Sequence, residues 1–286
     1  MKTQRVESVV SKRRALSKLF ALLTLGLVAA CVTSPLGRQQ LKIMPDSQMD
    51  AMGVQAFQQM KSSQPIERDS ALNAYVRCVA EPIAAVSGSK LTPKQWEVVV
   101  FKDQTANAFA LPGGKIGVHT GLLRVAKTDG ELAAVLGHEV GHVLAGHGNE
   151  RVSESLVVNL GLAGTVAILS GGQKKNDDRF GLLMAALGVG AQFGILLPHS
   201  RDQESEADII GLNLMAKAGF DPRESVALWK NMIADSGGRA PPEFLSTHPA
   251  SESRIENLEA KIPKVMPDFE RLKASGTIPH CQRPRT

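Results

Sequence analysis

Apolar residues recur along this chain in helical spacing more often than in alternation, and the pattern sets out its elements in order. Met49, Met52, Phe57 and Met60 fall loosely on one side of a helix expected from about Ser47 to Lys61. A second helix is expected from about Arg68 to Val86, interrupted by Pro82. Trp96 to Phe101, with Val98, Val99 and Val100 in succession, reads as a buried strand. Residues 107–118 give an apolar run, a turn at Pro112-Gly113-Gly114 and a short strand from Lys115, which is a hairpin whose glycine takes the positive φ of a type II turn. The next helix opens with a capping box, Thr128 three residues before Glu131 and just ahead of Leu132, Val135 and Leu136, and ends near Gly146–Gly148. Residues 156–170 and 180–198 are strongly apolar but glycine-rich and short, so they read as buried or site-covering helices rather than membrane spans. Further helices are expected from Arg201 to Ala218 (ending at Gly219), Pro222 to Asp235 and Pro249 to Lys261. Residues 32–46, with Pro35, Gly37 and Pro45, show no sustained period and read as a tether. The expected class is α+β: a mostly helical domain with a small antiparallel β-sheet or hairpin beside the helix that follows Thr128.

Charge changes this picture only at the N-terminus. The net charge is +5. Residues 1–30 carry Lys2, Arg5, Lys12, Arg13, Arg14 and Lys18 against Glu7, so the remainder is balanced and offers no broad basic surface to nucleic acid. The basic stretch ends at Lys18, an apolar run covers Leu19–Val28, and Ala29 and Ala30 lead to Cys31. That is the layout of a secretory signal, and Val28-Ala29-Ala30-Cys31 resembles a bacterial lipobox in which Cys31 is lipidated; ordinary cleavage beside an incidental cysteine is the alternative. Val32 after the cysteine favours the outer membrane, by analogy with enterobacterial sorting. Cys78 and Cys281 then remain as an even pair in an oxidising compartment, either bridged or as two thiols. A bridge closing a loop of about 200 residues stabilises on the order of 5 kcal/mol, less any strain.

The chemistry centres on His138-Glu139-Val140-Gly141-His142, an H-E-x-x-H string inside the capped helix. Residues four apart on a helix are about 40° apart around the axis and roughly 6 Å apart along it, so both imidazoles reach one zinc ion while Glu139 stands beside it as general base. His147, about 140° further round the same helix, is excluded from the metal, and His119, His147, His199 and His280 are read as structural. Catalytic zinc takes a third protein ligand. Glu204 is the candidate, with Asp208 one turn on to orient a liganding imidazole and Glu206 on the opposite, solvated face.

Asn107-Ala108-Phe109-Ala110-Leu111-Pro112-Gly113-Gly114, Leu136-Gly137 before the H-E-x-x-H string, Ser200-Arg201 with Glu204 and Ala207-Asp208, and Thr247-His248-Pro249 with Arg254 occur in this order. Together, over about residues 47–262, they resemble the HtpX/CAAX-prenyl-protease family of gluzincin zinc peptidases, and within it a periplasmic lipoprotein branch. The resemblance implies one zinc on His138, His142 and Glu204, Glu139 as base, Asp208 as orienting residue, and a substrate strand laid along Asn107, Ala108 and Phe109 by β-augmentation. It also implies that His248 and Arg254 line the site. His248 would either stabilise the oxyanion or serve as a fourth, inhibiting ligand, and Arg254 would pair with Glu204 or Asp208.

The expected organisation is a signal at 1–30, a lipidated tether at 31–46, a zinc peptidase domain at 47–265 and a tail at 266–286, ending too early for the helical-repeat domain of some members of that branch. The expected function is an endopeptidase at the periplasmic side of the outer membrane, anchored through lipid, that cleaves misfolded or misassembled envelope proteins. The alternative is a chaperone or assembly factor for outer-membrane proteins, working with outer-membrane assembly partners, with gated proteolysis.

Overall fold

A computed structural model describes residues 31–88, 95–169, 199–236, 243–249 and 252–284. The signal expected at 1–30 and the apolar stretch 180–198 lie outside the described residues. Two short strands, β1 (Cys31–Thr33) and β2 (Gln39–Leu41), pair antiparallel at the start, so the segment read as a tether contains a folded ribbon. Then come α1 (Asp46–Ser63), α2 (Ser70–Val86), β3 (Glu97–Phe101), β4 (Ala108–Leu111), β5 (Lys115–His119), α3 (Leu122–Val125), α4 (Asp129–Ala145), α5 (His147–Leu169), α6 (Arg201–Ala218), α7 (Glu224–Ser236), α8 (Glu243–Thr247) and α9 (Glu252–Ala274).

The expected hairpin is β4–β5, with Ala108 opposite Val118 and Leu111 opposite Lys115. β3 joins β5 in parallel, giving the order β3–β5–β4. The small sheet is therefore mixed, and within it β4 pairs only with β5, on one side. Phe57, Phe101, Phe109 and Leu111 form a separate apolar cluster between α1 and this sheet. Phe109 lies so close over Gly117 that a Cβ there would sit 2.2 Å from its ring, so any larger residue at that place in β5 must displace the ring.

α4 runs through the centre of the main core. Leu132, Val135, Leu136 and Val140 are fully buried, and each such side chain contributes about 1.5–3 kcal/mol by leaving water. Thr128 caps the helix by accepting from Glu131 N at 3.0 Å, and Glu131 reaches back to the Lys127 N–H instead of closing the box on Thr128. α4 stops at Ala145, where Gly146 adopts φ 73°. α6 carries a full capping box, Ser200 with Gln203.

α6 crosses α4 at very short range because the crossing is built from small residues. A Cβ on Gly211 would lie 2.9 Å from His138 N, and one on Gly141 would lie 2.9 Å from Ala207 O. This backbone approach brings the acidic face of α6 onto the histidine face of α4.

α9 continues through Pro263 and Pro267 to Ala274, past the end expected at Lys261, and the boundary expected at residue 265 falls inside it. Each proline removes a helical N–H donor, yet Leu258, Ile262, Val265 and Phe269 keep one face buried. Beyond it the tail is bound to the body: Cys281 is bridged to Cys78 of α2, and Arg283 donates to Leu123 O and Ala126 O. No described helix is long and apolar enough to cross a membrane.

Candidate metal centre

His138 and His142 stand one turn apart on α4, and their Nε2 atoms approach to 3.0 Å. Glu204, in the first turn of α6, brings Oε1 to 3.3 Å from His142 Nε2 and Oε2 to 3.5 Å from His138 Nε2. His248, just past α8, places Nδ1 3.1 Å from His138 Nε2 and 2.9 Å from Glu204 Oε1. The four residues offer ligand atoms that all lie within 4.8 Å of one another. Two imidazoles and a carboxylate are the donors a catalytic zinc takes.

Asp208, one turn after Glu204, sits 3.0 Å from His138 Nδ1, so the ring N–H donates to the carboxylate and Nε2 is left facing the cluster. Arg254 of α9 closes the group from behind, with Nε 2.6 Å from Asp208 Oδ2 and Nη1 2.6 Å from Glu204 Oε2. It thus pairs with both acids offered to it. Its guanidinium lies 3.8 Å over the Trp229 ring, a contact that nothing in the sequence pattern announced.

Glu139 faces the same cluster, with Oε1 3.3 Å from His248 Nε2, and among the described residues Oε1 takes part in no hydrogen bond. Its carboxylate accepts from the backbone N–H of Ala110 in β4. Burial pushes its pKa up, against the pull of His248 and His138, which is the direction a general base at neutral pH requires. Burial would also raise Glu204, but the His138 charge and the hydrogen bonds from His138, His142 and His248 hold it well below the usual carboxylate range. His138 is raised to about 9: burial opposes this, and the Glu204 charge outweighs it.

Two readings from sequence are corrected here. Glu206 is no solvated charge: it is 4% exposed, because the β1–β2 ribbon covers that face of α6, and it meets Arg38 Nε at 3.2 Å. His147 is not further round α4, since the left-handed turn at Gly146 ends that helix and swings His147 back until its Nδ1 lies 2.8 Å from His142 Nδ1. It stays outside the four-residue cluster, but it touches one of its members. Burial holds it down to about 4, so the ring is neutral at pH 7.

A cleft of about 510 Å³ opens beside the cluster, between α1 and β4, with Met49, Met52, Phe109, Leu111, Glu139 and His142 among its walls. Asn107, Ala108 and Phe109 all line it. The Asn107 carbonyl accepts from His119 N, and Phe109 also packs into the cluster behind the sheet. Ala110, missed in the sequence, is the strand residue bonded to Glu139. Cys31 is exposed at the start of the ribbon.

The profile of Peptidase family M48 matches residues 70–262. The chain is 42% identical over 192 residues to the mitochondrial metalloendopeptidase OMA1 of Schizosaccharomyces pombe, covering 66% of this chain and 53% of that protein. It is 30% identical over 226 residues to the beta-barrel assembly-enhancing protease of Yersinia pestis, covering 76% of this chain and 44% of that protein. It is 31% identical over 238 residues to human OMA1, covering 81% of this chain and 44% of that protein. The chain spans about half the length of the curated relatives it matches.

Proposed function

Because this chain belongs to peptidase family M48, we propose that it is a zinc endopeptidase of the bacterial cell envelope that cleaves misfolded or misassembled envelope proteins. The observation that carries the reading is the convergence of His138, His142 and Glu204 on one point, with the buried carboxylate of Glu139 beside it and a cleft leading in. A zinc ion on those three residues supplies Lewis acidity, which acidifies water and polarises the scissile carbonyl.

The chain's own groups do the rest. An extended peptide pairs with the side of β4 away from β5, which carries its carbonyl to the cluster. Glu139 takes the proton of the attacking water through Oε1 and returns it to the leaving amine. Asp208 and Arg254 keep His138 in the tautomer whose Nε2 is bare. His248 Nε2 lies close enough to Glu139 to donate to the oxyanion formed there.

The envelope assignment draws on the lipobox-like Val28-Ala29-Ala30-Cys31 and on the Yersinia relative's name. Under it, Cys31 carries lipid at the periplasmic side of the outer membrane. The test is cleavage of casein and of an unfolded β-barrel protein by purified wild type and Glu139→Gln, with zinc per chain measured in both. One zinc in each, with cleavage only by wild type, is the expected result. No zinc in wild type, or equal cleavage by both, would overturn it.

A second reading has one observation in its favour. His248 is within contact of His138, Glu204 and Glu139 together, where it can complete the metal's ligands and shut the enzyme. The protein would then act chiefly as a chaperone or assembly factor, with proteolysis gated by movement of the Thr247–Pro249 loop. Suppression of client aggregation by Glu139→Gln at wild-type levels, with little cleavage by wild type, would favour it.

A further inference from the structure

We propose that His147, Glu206 and Arg38 form a positioning relay that fixes the metal-binding tautomer of His142, an inference resting on the metal site proposed above. The two histidines of α4 are supported differently. His138 donates directly to a carboxylate, Asp208, whose other side is held by Arg254. Among the described residues, no carboxylate stands on Nδ1 of His142. His147 stands there, and the carboxylate–arginine pair is one residue further out.

The contacts along this path favour one arrangement of protons. Glu206 is acceptor-only: Oε1 takes the Leu36 N–H at 3.2 Å, and Oε2 faces Arg38 Nε at 3.2 Å and His147 Nε2 at 3.3 Å. His147 Nε2 must therefore carry a proton. His142 Nδ1 and His147 Nδ1 face each other at 2.8 Å, so a single proton fits between them, and with Nε2 of His147 already committed to Glu206, placing that proton on His142 is the arrangement that leaves no extra charge on either buried ring. His142 Nε2 is thereby left bare and pointed at Glu204, as metal ligation requires. His142, His147 and Glu206 are withdrawn from solvent, with His147 fully buried, while Arg38 stays half-buried at the rim, so water does not offer the rings an alternative partner.

The relay is anchored by the N-terminal ribbon. Arg38 grips Glu150 of α5 with two hydrogen bonds, at 2.5 and 2.6 Å, while Glu150 also accepts from Gln203 of α6 at 2.7 Å. Other ties hold the ribbon without touching the relay: Gln40 donates to Ala145 O at 2.9 Å, and Ile43 N donates to Ser153 Oγ at 2.8 Å. These supply the control, because they separate docking of the ribbon from orientation of the imidazole.

Zinc affinity of the metal-free protein, measured by competition with a chromophoric chelator, and the visible spectrum of the cobalt-loaded protein together test the relay. Glu206→Gln, Arg38→Gln and His147→Leu are expected to bind zinc about 10–100-fold more weakly, with altered cobalt bands. His147→Gln, whose amide can accept from His142 and donate to Glu206, should recover part of the loss. Gln40→Ala and Ser153→Ala should lower the denaturation midpoint yet keep wild-type zinc affinity. Glu206→Gln and Ser153→Ala are small changes, so the comparison stands even where His147→Leu fails to fold. Wild-type affinity in folded Glu206→Gln overturns the relay, as does an equal loss in Ser153→Ala. Failure of the wild type to bind zinc would instead overturn the metal site itself.

Discussion

Arg254 holds Asp208 by two parallel hydrogen bonds, Nε to Oδ2 at 2.6 Å and Nη2 to Oδ1 at 2.8 Å, with both side chains buried. A buried pair of this kind is worth little as a net gain but is costly to break from one side. Arg254→Met leaves two buried carboxylates without their counter-charge and is expected to cost about 3–5 kcal/mol in chemical denaturation. Asp208→Asn keeps the shape and is expected to act mainly on the metal, with a loss of about 10–100-fold in zinc affinity. A larger stability loss for Asp208→Asn than for Arg254→Met would contradict this division of roles.

Glu204 faces both His138 and His142, whereas Asp208 faces His138 from behind. Glu204→Gln is therefore expected to weaken zinc binding more than Asp208→Asn does. Titration of both metal-free proteins under one set of conditions gives the order directly, and equal losses would remove Glu204 from the ligand set.

His248→Ala separates two roles by the sign of its effect. If the imidazole stabilises the oxyanion, peptide cleavage falls by about 10²–10³-fold at unchanged zinc content. If it acts as a fourth ligand that shuts the site, basal cleavage rises. An unchanged rate at unchanged zinc content would remove both roles.

Gly211→Ala tests the crossing of α4 and α6. Its methyl would meet His138 N at 2.9 Å and Gly137 C at 3.1 Å, both backbone atoms, so the helices must separate. Overpacking of this order costs about 1–3 kcal/mol. Glu204 and Asp208 move with α6, so zinc affinity should fall as well. Gly148→Ala, whose Cβ would meet nothing closer than 3.9 Å, is the control expected to leave both unchanged. Equal behaviour of the two variants in zinc titration would show that the close approach does not set the site.

The Cys78–Cys281 bridge ties α2 to the tail across a separation of 203 residues, far from the cluster in sequence and in function. Replacing both cysteines with alanine is expected to lower stability by about 2–5 kcal/mol and to leave the zinc affinity of the folded protein intact. A parallel loss of metal affinity at temperatures where the variant is fully folded would speak against that separation.

The parts of the site that lie on one helical face were legible in the sequence, because four-residue spacing on a helix is a geometric statement. His138 with His142, and Glu204 with Asp208, are of that kind. What could not be read depends on where helices stop and on what covers them. The helical spacing of His147 assumes that α4 continues, whereas the left-handed turn at Gly146 redirects the chain. The spacing of Glu206 on α6 points it toward water, whereas the cover is a ribbon whose residues have no period to betray it. The link between Arg38 and Glu206 spans 168 positions and leaves no local trace. α9 outran its expected end because a buried apolar face offsets the bonds that its prolines omit.

The ribbon also sets a working distance. Cys31 is paired across from Leu41, and Arg38 in the turn between the strands is fastened to α5 and α6. Even fully drawn out, the chain from Cys31 to Arg38 covers no more than about 25 Å. With lipid on Cys31, as proposed, the hydrolytic centre is leashed within a few nanometres of the bilayer surface, and reach becomes a filter on clients. Under that proposal, polypeptides stalled at the membrane would come within range of the cleft, while those free in the surrounding fluid would first have to diffuse to it.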